Sequence, residues 1–118
     1  MSLNIQIFGK GKCFDTKKAE RYFKERGIRY QLINILDKGM SKGEFRSVSQ
    51  ALGGARSLLD QNARDKDLLA LIAHLMDEAI EEKILENQHL IRTPIVREGK
   101  RATVGYEPEA WKKWEAGS

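Results

Sequence analysis

The chain has 118 residues, a formal net charge of +4 and an apolar fraction of 41%. This length suits one compact domain, residues 1–118, which should bury about two thirds of the surface of its unfolded chain. No run approaches the ~20 apolar residues that a membrane-spanning helix needs, and the N-terminal residues show no signal pattern. One cysteine excludes a disulfide scaffold, so we expect a cytoplasmic protein without membrane association.

The charges do not indicate a polyanionic partner. Lysine and arginine outnumber aspartate and glutamate by 21 to 17, and they are spread along the chain. There is no arginine-rich tract, aromatic ribonucleoprotein motif or zinc-ligand spacing, so we expect neither nucleic acid nor a metal. His74 falls among apolar helix residues and His89 in a loop, and neither position indicates a catalytic base.

The first third of the chain predicts a strand, a helix and a second strand. Residues 3–8 alternate apolar and polar side chains, which is the period-two pattern of a strand. Apolar side chains at helical spacing predict a helix over about 15–26, ended by Gly27. Strand character returns over 28–36. Such a unit normally forms a parallel pair with a right-handed crossover.

A helical insert is expected over about 41–88. A capping-box spacing at 41–44 predicts a helix over about 42–52, and apolar residues at helical spacing continue over about 66–86. We expect this second stretch to be two helices with a break near 76–78, because a small sheet has limited surface to cover.

The last third predicts a β-hairpin and a closing helix. Two short strand-like runs, 94–97 and 101–105, flank a tight glycine turn. Pro108 opens the last helix, and Trp111 and Trp114 share a face that should anchor it to the sheet. The order β-α-β-α-α-α-β-β-α predicts an α/β domain with a four-stranded mixed sheet.

The single cysteine, Cys13, lies between the first strand and the first helix, at the sheet edge where α/β proteins bind ligands. Backbone N–H groups and the dipole at a helix N-terminus favour a thiolate, and Thr16 can donate its hydroxyl to the sulfur. Nearby lysines add positive charge: Lys10, Lys12, Lys17 and Lys18. This polar setting favours a reactive thiol over the alternative, an inert cysteine packed as a small apolar side chain.

Pro94 is unusual because proline is rarely found inside a sheet. A cis peptide bond after Thr93 would explain its position. The alternative is a trans proline that opens an edge strand.

Three motifs together resemble the arsenate reductase and Spx (ArsC-like) family: Cys13–Thr16 after a strand, Thr93–Val96 before a hairpin, and Val104–Tyr106 leading to Trp111. The resemblance spans Asn4 to Trp114. It implies a thioredoxin-like fold with a helical insertion, in which the Thr93–Pro94 bond is cis and lies beside Cys13.

Arsenate reductases of this family resemble the chain in having one nucleophilic cysteine, here Cys13, whose adduct is resolved by glutathione with glutaredoxin. Three arginines hold the oxyanion in those enzymes, and the corresponding positions here are Asp60, Thr93 and Tyr106. Losing charge-assisted contacts of ~1.5–3 kcal/mol each argues against efficient arsenate reduction. Other arginines would have to rebuild the anion site: Arg56, Arg64, Arg92, Arg97 or Arg101.

Spx-type regulators of the same family bind RNA polymerase and sense oxidation through a Cys-x-x-Cys pair. Thr16 stands at the second cysteine position, so this pair is absent here. A non-catalytic protein-binding role, without a redox switch, is the alternative hypothesis.

The leading hypothesis is a glutathione-linked oxidoreductase in which Cys13 attacks a mixed disulfide, since Cys-x-x-Thr supports monothiol chemistry. The expected ligand-binding residues are Lys12, Arg92, Thr93 and Pro94, with Lys10 as a further cation for the carboxylates of glutathione. We expect no bound cofactor. Expected partners are glutathione or a small oxyanion, and glutaredoxin or another protein, acting on a monomer.

Overall fold

A computed structural model of the chain describes residues 3–117. The ends of the expected domain, residues 1–2 and 118, lie outside the described residues. The regular elements are β1 (Ile5–Gly9), α1 (Phe14–Glu25), β2 (Tyr30–Asn34), α2 (Lys42–Ala51), α3 (Lys66–Ala73), α4 (Asp77–Glu86), β3 (Ile95–Glu98), β4 (Arg101–Val104) and α5 (Pro108–Ala116). Two short 3-10 turns, Ala55–Leu58 and Gln88–Leu90, lie within the predicted helical insert.

The strands form one mixed sheet in the order β2-β1-β3-β4. β1 and β2 are parallel, with Ile5 opposite Tyr30, while β3 runs antiparallel to β1 and β4 antiparallel to β3. This confirms the predicted element order and the mixed four-stranded sheet. No helix among residues 3–117 is long and apolar enough to cross a membrane.

Helices cover both faces of the sheet, because successive strand residues point to opposite faces. On one face, α1 and α5 pack with the sheet around a buried cluster: Ile5, Ile7, Ala19, Tyr22, Phe23, Val96, Trp111 and Trp114. On the other face, the helical insert packs around a second cluster that includes Phe8, Phe45, Ile80 and Ile95. Trp111 and Trp114 lie in this cluster with strand residues, and the Trp111 indole N–H donates to the Thr103 hydroxyl of β4 at 2.8 Å, which confirms that the two tryptophans anchor α5 to the sheet.

Local signals located the element ends well. Ser41 and Glu44 form the predicted capping box, with N–H to side-chain oxygen distances of 2.9 and 3.1 Å. The predicted break in the second helical stretch is confirmed, since α3 ends at Ala73 and α4 begins at Asp77. Gly27 closes α1 at φ +67°.

Two expectations need correction. β2 is shorter than the predicted 28–36, because the Ile28 N–H donates to the Phe23 carbonyl and completes the end of α1 instead of joining the sheet. The alternative that Pro94 is a trans proline on an edge strand is wrong. β3, which follows Pro94, lies inside the sheet, and the Thr93–Pro94 bond is cis, as the family resemblance predicted.

Gly9, the last residue of β1, contacts the first turn of α1. A Cβ at Gly9 would lie closer to Cγ2 of Thr16 than carbon atoms pack. A Cβ at Gly43, in the first turn of α2, would meet nothing within 4 Å. We expect Gly9→Ala to lower the free energy of unfolding by about 1–3 kcal/mol, and Gly43→Ala to leave it unchanged or raise it by up to about 1 kcal/mol.

Urea denaturation of both variants checks this prediction. Equal stability of Gly9→Ala and the unmodified protein would show that the first turn of α1 can move away from the sheet without cost.

Candidate active site

Cys13 is the residue that precedes α1, and it is half-buried. Its thiol donates a hydrogen bond to the carbonyl oxygen of Thr93, at an Sγ–O distance of 3.6 Å. Cys13 and Thr93 are 80 positions apart in the chain. The structure therefore brings together the two motifs that the sequence singled out, and the expected position of Pro94 near Cys13 is confirmed.

Strand pairing explains this proximity. Phe8, near the end of β1, pairs with Ile95 at the start of β3. The chain that leaves β1 and the chain that enters β3 therefore share one edge of the sheet. Cys13 follows the first and Pro94 precedes the second, so the thiol lies between a helix N-terminus and the residue before the proline.

The surroundings of Cys13 favour its ionised form. Burial raises the pKa of the Cys13 thiol, but hydrogen bonds from the side chains of Thr16 and Thr93, with backbone N–H groups at the start of α1, lower it by more. The pKa of Cys13 therefore lies below its ordinary value. The Thr16 hydroxyl and the backbone N–H groups are donors that a helix N-terminus is expected to supply, whereas Thr93 comes from the chain that enters β3.

The Thr16 side chain is one of the groups that lower the pKa of Cys13. This side chain is 3% exposed, and its Oγ1 has no hydrogen-bond partner within normal distance among residues 3–117. A buried hydroxyl without a partner costs about 1–3 kcal/mol. A thiolate at Cys13 supplies the missing acceptor, so ionisation of the sulfur satisfies a group that the fold leaves unsatisfied.

Lys10 ties the loop after β1 to the chain that enters β3. Its ammonium group donates to the carbonyl oxygens of His89 and Ile91, each at 2.9 Å. Burial lowers the pKa of Lys10, while attraction to Asp60 and Cys13 opposes this decrease. Sequence reasoning treated Lys10 as one more cation near the sulfur and missed these contacts, which join residues about eighty positions apart.

Asp60 occupies the insert position where the family resemblance implied an arginine. Its carboxylate accepts the Asn62 N–H at 2.9 Å, and its own N–H donates to the Leu90 carbonyl at 2.8 Å. Asp60 acts electrostatically on Lys10, so this position brings negative charge to the site instead of the positive charge that the resemblance implied.

Arg92 stays close to the Thr93–Pro94 bond. A Cβ at Gly105 would lie 3.1 Å from its Nη2 atom, so the guanidinium lies over that glycine. The Gly105 N–H in turn donates to the Pro94 carbonyl at 2.8 Å. Within residues 3–117 the Arg92 side chain makes no ion pair, and neither does exposed Lys12 in the loop before Cys13.

The other arginines that were considered as anion ligands are mostly engaged elsewhere. Arg56 binds the Leu75 carbonyl at 2.7 Å. Arg97 binds the Gln6 side chain at 3.0 Å. Arg101 pairs with Glu98 and lies over the ring of Trp114. Arg64 is exposed and has no ion pair among the described residues.

The two histidines lie outside this chemistry. His74 is an exposed residue at the end of α3, and His89 faces Asp65 on the surface at 3.4 Å. Within residues 3–117 there is no group of three side chains arranged to hold a metal ion.

A mixed sheet of this topology, with a single cysteine before α1 and a cis-proline before β3, defines a thioredoxin-like protein with one candidate nucleophile. The model of the ArsC family matches residues 8–114. The chain therefore belongs to the ArsC family.

The chain is similar to a protein named as a regulator, to one named as uncharacterized and to a solved structure named as a reductase. The global transcriptional regulator Spx 2 of Oceanobacillus iheyensis is 28% identical over 109 residues, which cover 91% of this chain and 80% of the relative. YfgD of Escherichia coli K12 is 25% identical over 112 residues, covering 92% and 94%. The solved arsenate reductase from Vibrio cholerae is 25% identical, with a TM-score of 0.82 and coverage of 96% and 98%. The similarity thus extends both to a protein named as a regulator and to one named as a reductase.

Lys10→Met tests whether Lys10 holds the loop after β1 against the chain that enters β3. The variant keeps an unbranched side chain but leaves the carbonyls of His89 and Ile91 without their donor, so we expect the free energy of unfolding to fall by about 1–3 kcal/mol. Lys100→Met, in the exposed hairpin turn, is the matched control and should change stability by less than about 0.5 kcal/mol. Urea denaturation measures both, and equal values for the two variants would contradict the assignment.

The pH dependence of Cys13 alkylation by iodoacetamide tests the thiolate. We expect the midpoint to lie below that of the same protein unfolded in urea, because the fold lowers the pKa of Cys13. Thr16→Val should raise the midpoint, since it removes a donor to the thiolate. Ser49→Ala, which removes the other buried hydroxyl without a partner, should leave it unchanged.

The lowered pKa of Cys13 also makes the stability of the fold depend on pH. Because the pKa of Cys13 is lowered on folding, its contribution to stability is fully present above the pKa of the unfolded thiol and is lost as pH falls through the folded value. If Cys13 alkylation has the same pH midpoint in the folded and the unfolded protein, both the lowered pKa of Cys13 and its contribution to stability are contradicted.

Proposed function

We propose that this ArsC family chain is a cytoplasmic, glutathione-linked thiol oxidoreductase that acts as a monomer, with Cys13 as its nucleophile. The observation that carries the proposal is the site of that sulfur. It lies at a helix N-terminus beside Thr93, has a lowered pKa, and lies near a buried Thr16 hydroxyl that lacks an acceptor.

A monothiol cycle fits a site with one cysteine. The Cys13 thiolate attacks the glutathione sulfur of a mixed disulfide, the new Sγ–sulfur bond forms, and the substrate leaves as a thiolate that takes up a proton. A second glutathione thiolate then attacks this bond and leaves as oxidised glutathione, and Cys13 returns as a thiolate. The net reaction converts the mixed disulfide and one free glutathione into the reduced substrate thiol and oxidised glutathione, and no second protein cysteine is needed.

Charges around the sulfur support a dicarboxylate ligand such as glutathione. Lys12 precedes Cys13 in the chain, and Arg92 precedes Thr93, whose carbonyl accepts from the thiol, and lies over Gly105. Two separate cations near a sulfur can pair with the two ends of an extended tripeptide. Thr93 and Pro94 would form the wall of the groove between them.

Arsenate reduction is disfavoured by the same geometry. A tetrahedral oxyanion needs several cationic donors that converge on one point. Three of the five arginines considered are bonded elsewhere, and Asp60 brings negative charge near Lys10.

The second candidate is a protein-binding regulator without turnover. It is supported by the 28% identity to a relative named as a transcriptional regulator. In that case Cys13→Ser would abolish no biological function, since partner binding would not depend on the thiol.

Protection of Cys13 from iodoacetamide distinguishes these roles. We expect oxidised glutathione to block alkylation through a mixed disulfide and arsenate to give no protection, because the convergent arginines are missing. In a coupled assay with a glutathione mixed disulfide, Cys13→Ser should lose all turnover. Arg92→Gln should raise the KM for glutathione substrates about tenfold, the loss expected for one charge-assisted contact.

Arg64→Gln is the matched control, because Arg64 is also exposed and unpaired, and it should leave KM unchanged. Protection by arsenate would show that other groups rebuild the anion site. Ordinary thiol reactivity with no turnover would leave the regulator as the remaining candidate.

A further inference from the structure

Two aromatic side chains are exposed, one directly after Cys13 in the chain and one directly after Gly105, whose N–H donates to the Pro94 carbonyl. Phe14, the residue after the sulfur, is 79% exposed, and Tyr106, which follows Gly105, is 40% exposed. Among the large apolar side chains exposed in residues 3–117, these two are the aromatic ones. Exposed aromatic residues next to a candidate nucleophile are typical of a binding surface.

Lysines from α1 join these aromatics into one surface. The Lys17 ammonium lies 6.0 Å from the centre of the Phe14 ring, and the Lys18 ammonium lies 5.6 Å from the Tyr106 ring. Phe14 and Lys18 are four residues apart, so they share a helix face. We call Phe14, Lys17, Lys18 and Tyr106 the aromatic–lysine surface.

This surface continues into a groove between α1 and α5. The groove has a volume of about 500 Å³, and Lys18, Arg21, Tyr106 and Lys112 are among its lining residues. Lys112 pairs with Glu109 at 3.4 Å. Lys18 and Arg21 have no ion pair among the described residues, so two uncompensated cations line the groove beside the aromatic–lysine surface.

We propose that the aromatic–lysine surface and this groove dock an acidic segment of a protein whose disulfide is attacked by Cys13. The inference rests on the proposed function and names the partner of the same site. Charge complementarity supports it, because Lys17 and Lys18 on α1, Lys12 in the loop before Cys13 and Arg92 before Thr93 are cations without an ion pair among the described residues. From Phe14 to Glu25 the helix is about 16 Å long, a span that suits a protein segment better than glutathione alone.

Carboxylates within the same region favour a protein over a nucleic acid. Glu25 lines the groove, and Asp15 lies in the first turn of α1 beside the sulfur. A continuous phosphate backbone would meet both acids, whereas a peptide can place neutral or basic side chains opposite them. The aromatic rings of Phe14 and Tyr106 also offer apolar contact to a peptide side chain.

The probe is a pair of cysteine peptides, one flanked by glutamates and one by lysines, each joined by a disulfide to 2-nitro-5-thiobenzoate. The Cys13 thiolate attacks the peptide sulfur, the Sγ–sulfur bond forms, and the coloured aromatic thiolate leaves with the electron pair of the broken bond. At low salt we expect the acidic peptide to react about tenfold faster than the basic one. The ratio should fall toward one as ionic strength rises.

Variants that each replace one lysine by glutamate change the charge by the same amount, so they show which lysines cause the preference for the acidic peptide. Lys17→Glu and Lys18→Glu should each reduce the preference for the acidic peptide at least threefold, and Phe14→Ala should slow both peptides. Lys100→Glu, in the exposed hairpin turn, is the matched control and should keep the preference. Binding of the fluorescent acidic peptide, without the leaving group, to Cys13→Ser measures docking apart from chemistry.

These readouts separate the two levels of the proposal. If neither peptide reacts but the acidic one binds Cys13→Ser and loses affinity with Lys17→Glu, the docking surface stands and the oxidoreductase is wrong. Equal, salt-independent rates for both peptides would overturn the docking surface and leave the oxidoreductase intact. Tighter binding of a single-stranded oligonucleotide of matched charge would assign the surface to nucleic acid and overturn the proposal.

Discussion

The pairing of β3 with β1 is the constraint on which the site depends. It places the end of β1 and the start of β3 at one edge of the sheet, so that Cys13 and Thr93 meet at 3.6 Å. Lys10 adds a second connection at the same edge, through the carbonyls of His89 and Ile91. The helical insert lies between β2 and β3 in the chain, and these contacts hold its exit against the loop that carries the sulfur. Stability of the insert and geometry of the thiol are therefore coupled.

The contact between Gly9 and Thr16 links packing to chemistry. Thr16 packs directly on the glycine, and its side chain is buried. Its hydroxyl has no other hydrogen-bond partner among residues 3–117, and a thiolate at Cys13 can accept a hydrogen bond from it. A small residue at the end of β1 and a β-branched hydroxyl in the first turn of α1 thus act together to lower the pKa of Cys13, against the opposing effect of burial.

Sequence reasoning succeeded where the signal was local or rested on the family resemblance. The capping box at Ser41, the closure of α1 at Gly27 and the break before Asp77 are each determined by a few neighbouring residues. It could not find the bonds of Lys10 or the position of Arg92 over Gly105, since both join segments that are distant in sequence. The short 3-10 turns were also missed, because they lack the periodicity that identifies longer helices. Phe14 is not on the helix face where the other apolar residues of α1 recur, and this position in the sequence indicated that its side chain would be exposed.

The arrangement of charge argues for an elongated ligand over a compact one. Compact oxyanions are held by donors that converge, as in a bidentate arginine pair. Here Lys10 is engaged by carbonyls, Asp60 adds negative charge beside it, and the unpaired cations Lys12 and Arg92 lie apart, one in the loop before the sulfur and one over Gly105. The aromatic–lysine surface extends the positive region along α1, away from the sulfur. A ligand with charges distributed along its length can use all of these groups at once, and a disulfide within such a ligand would lie where the Cys13 thiolate can reach it.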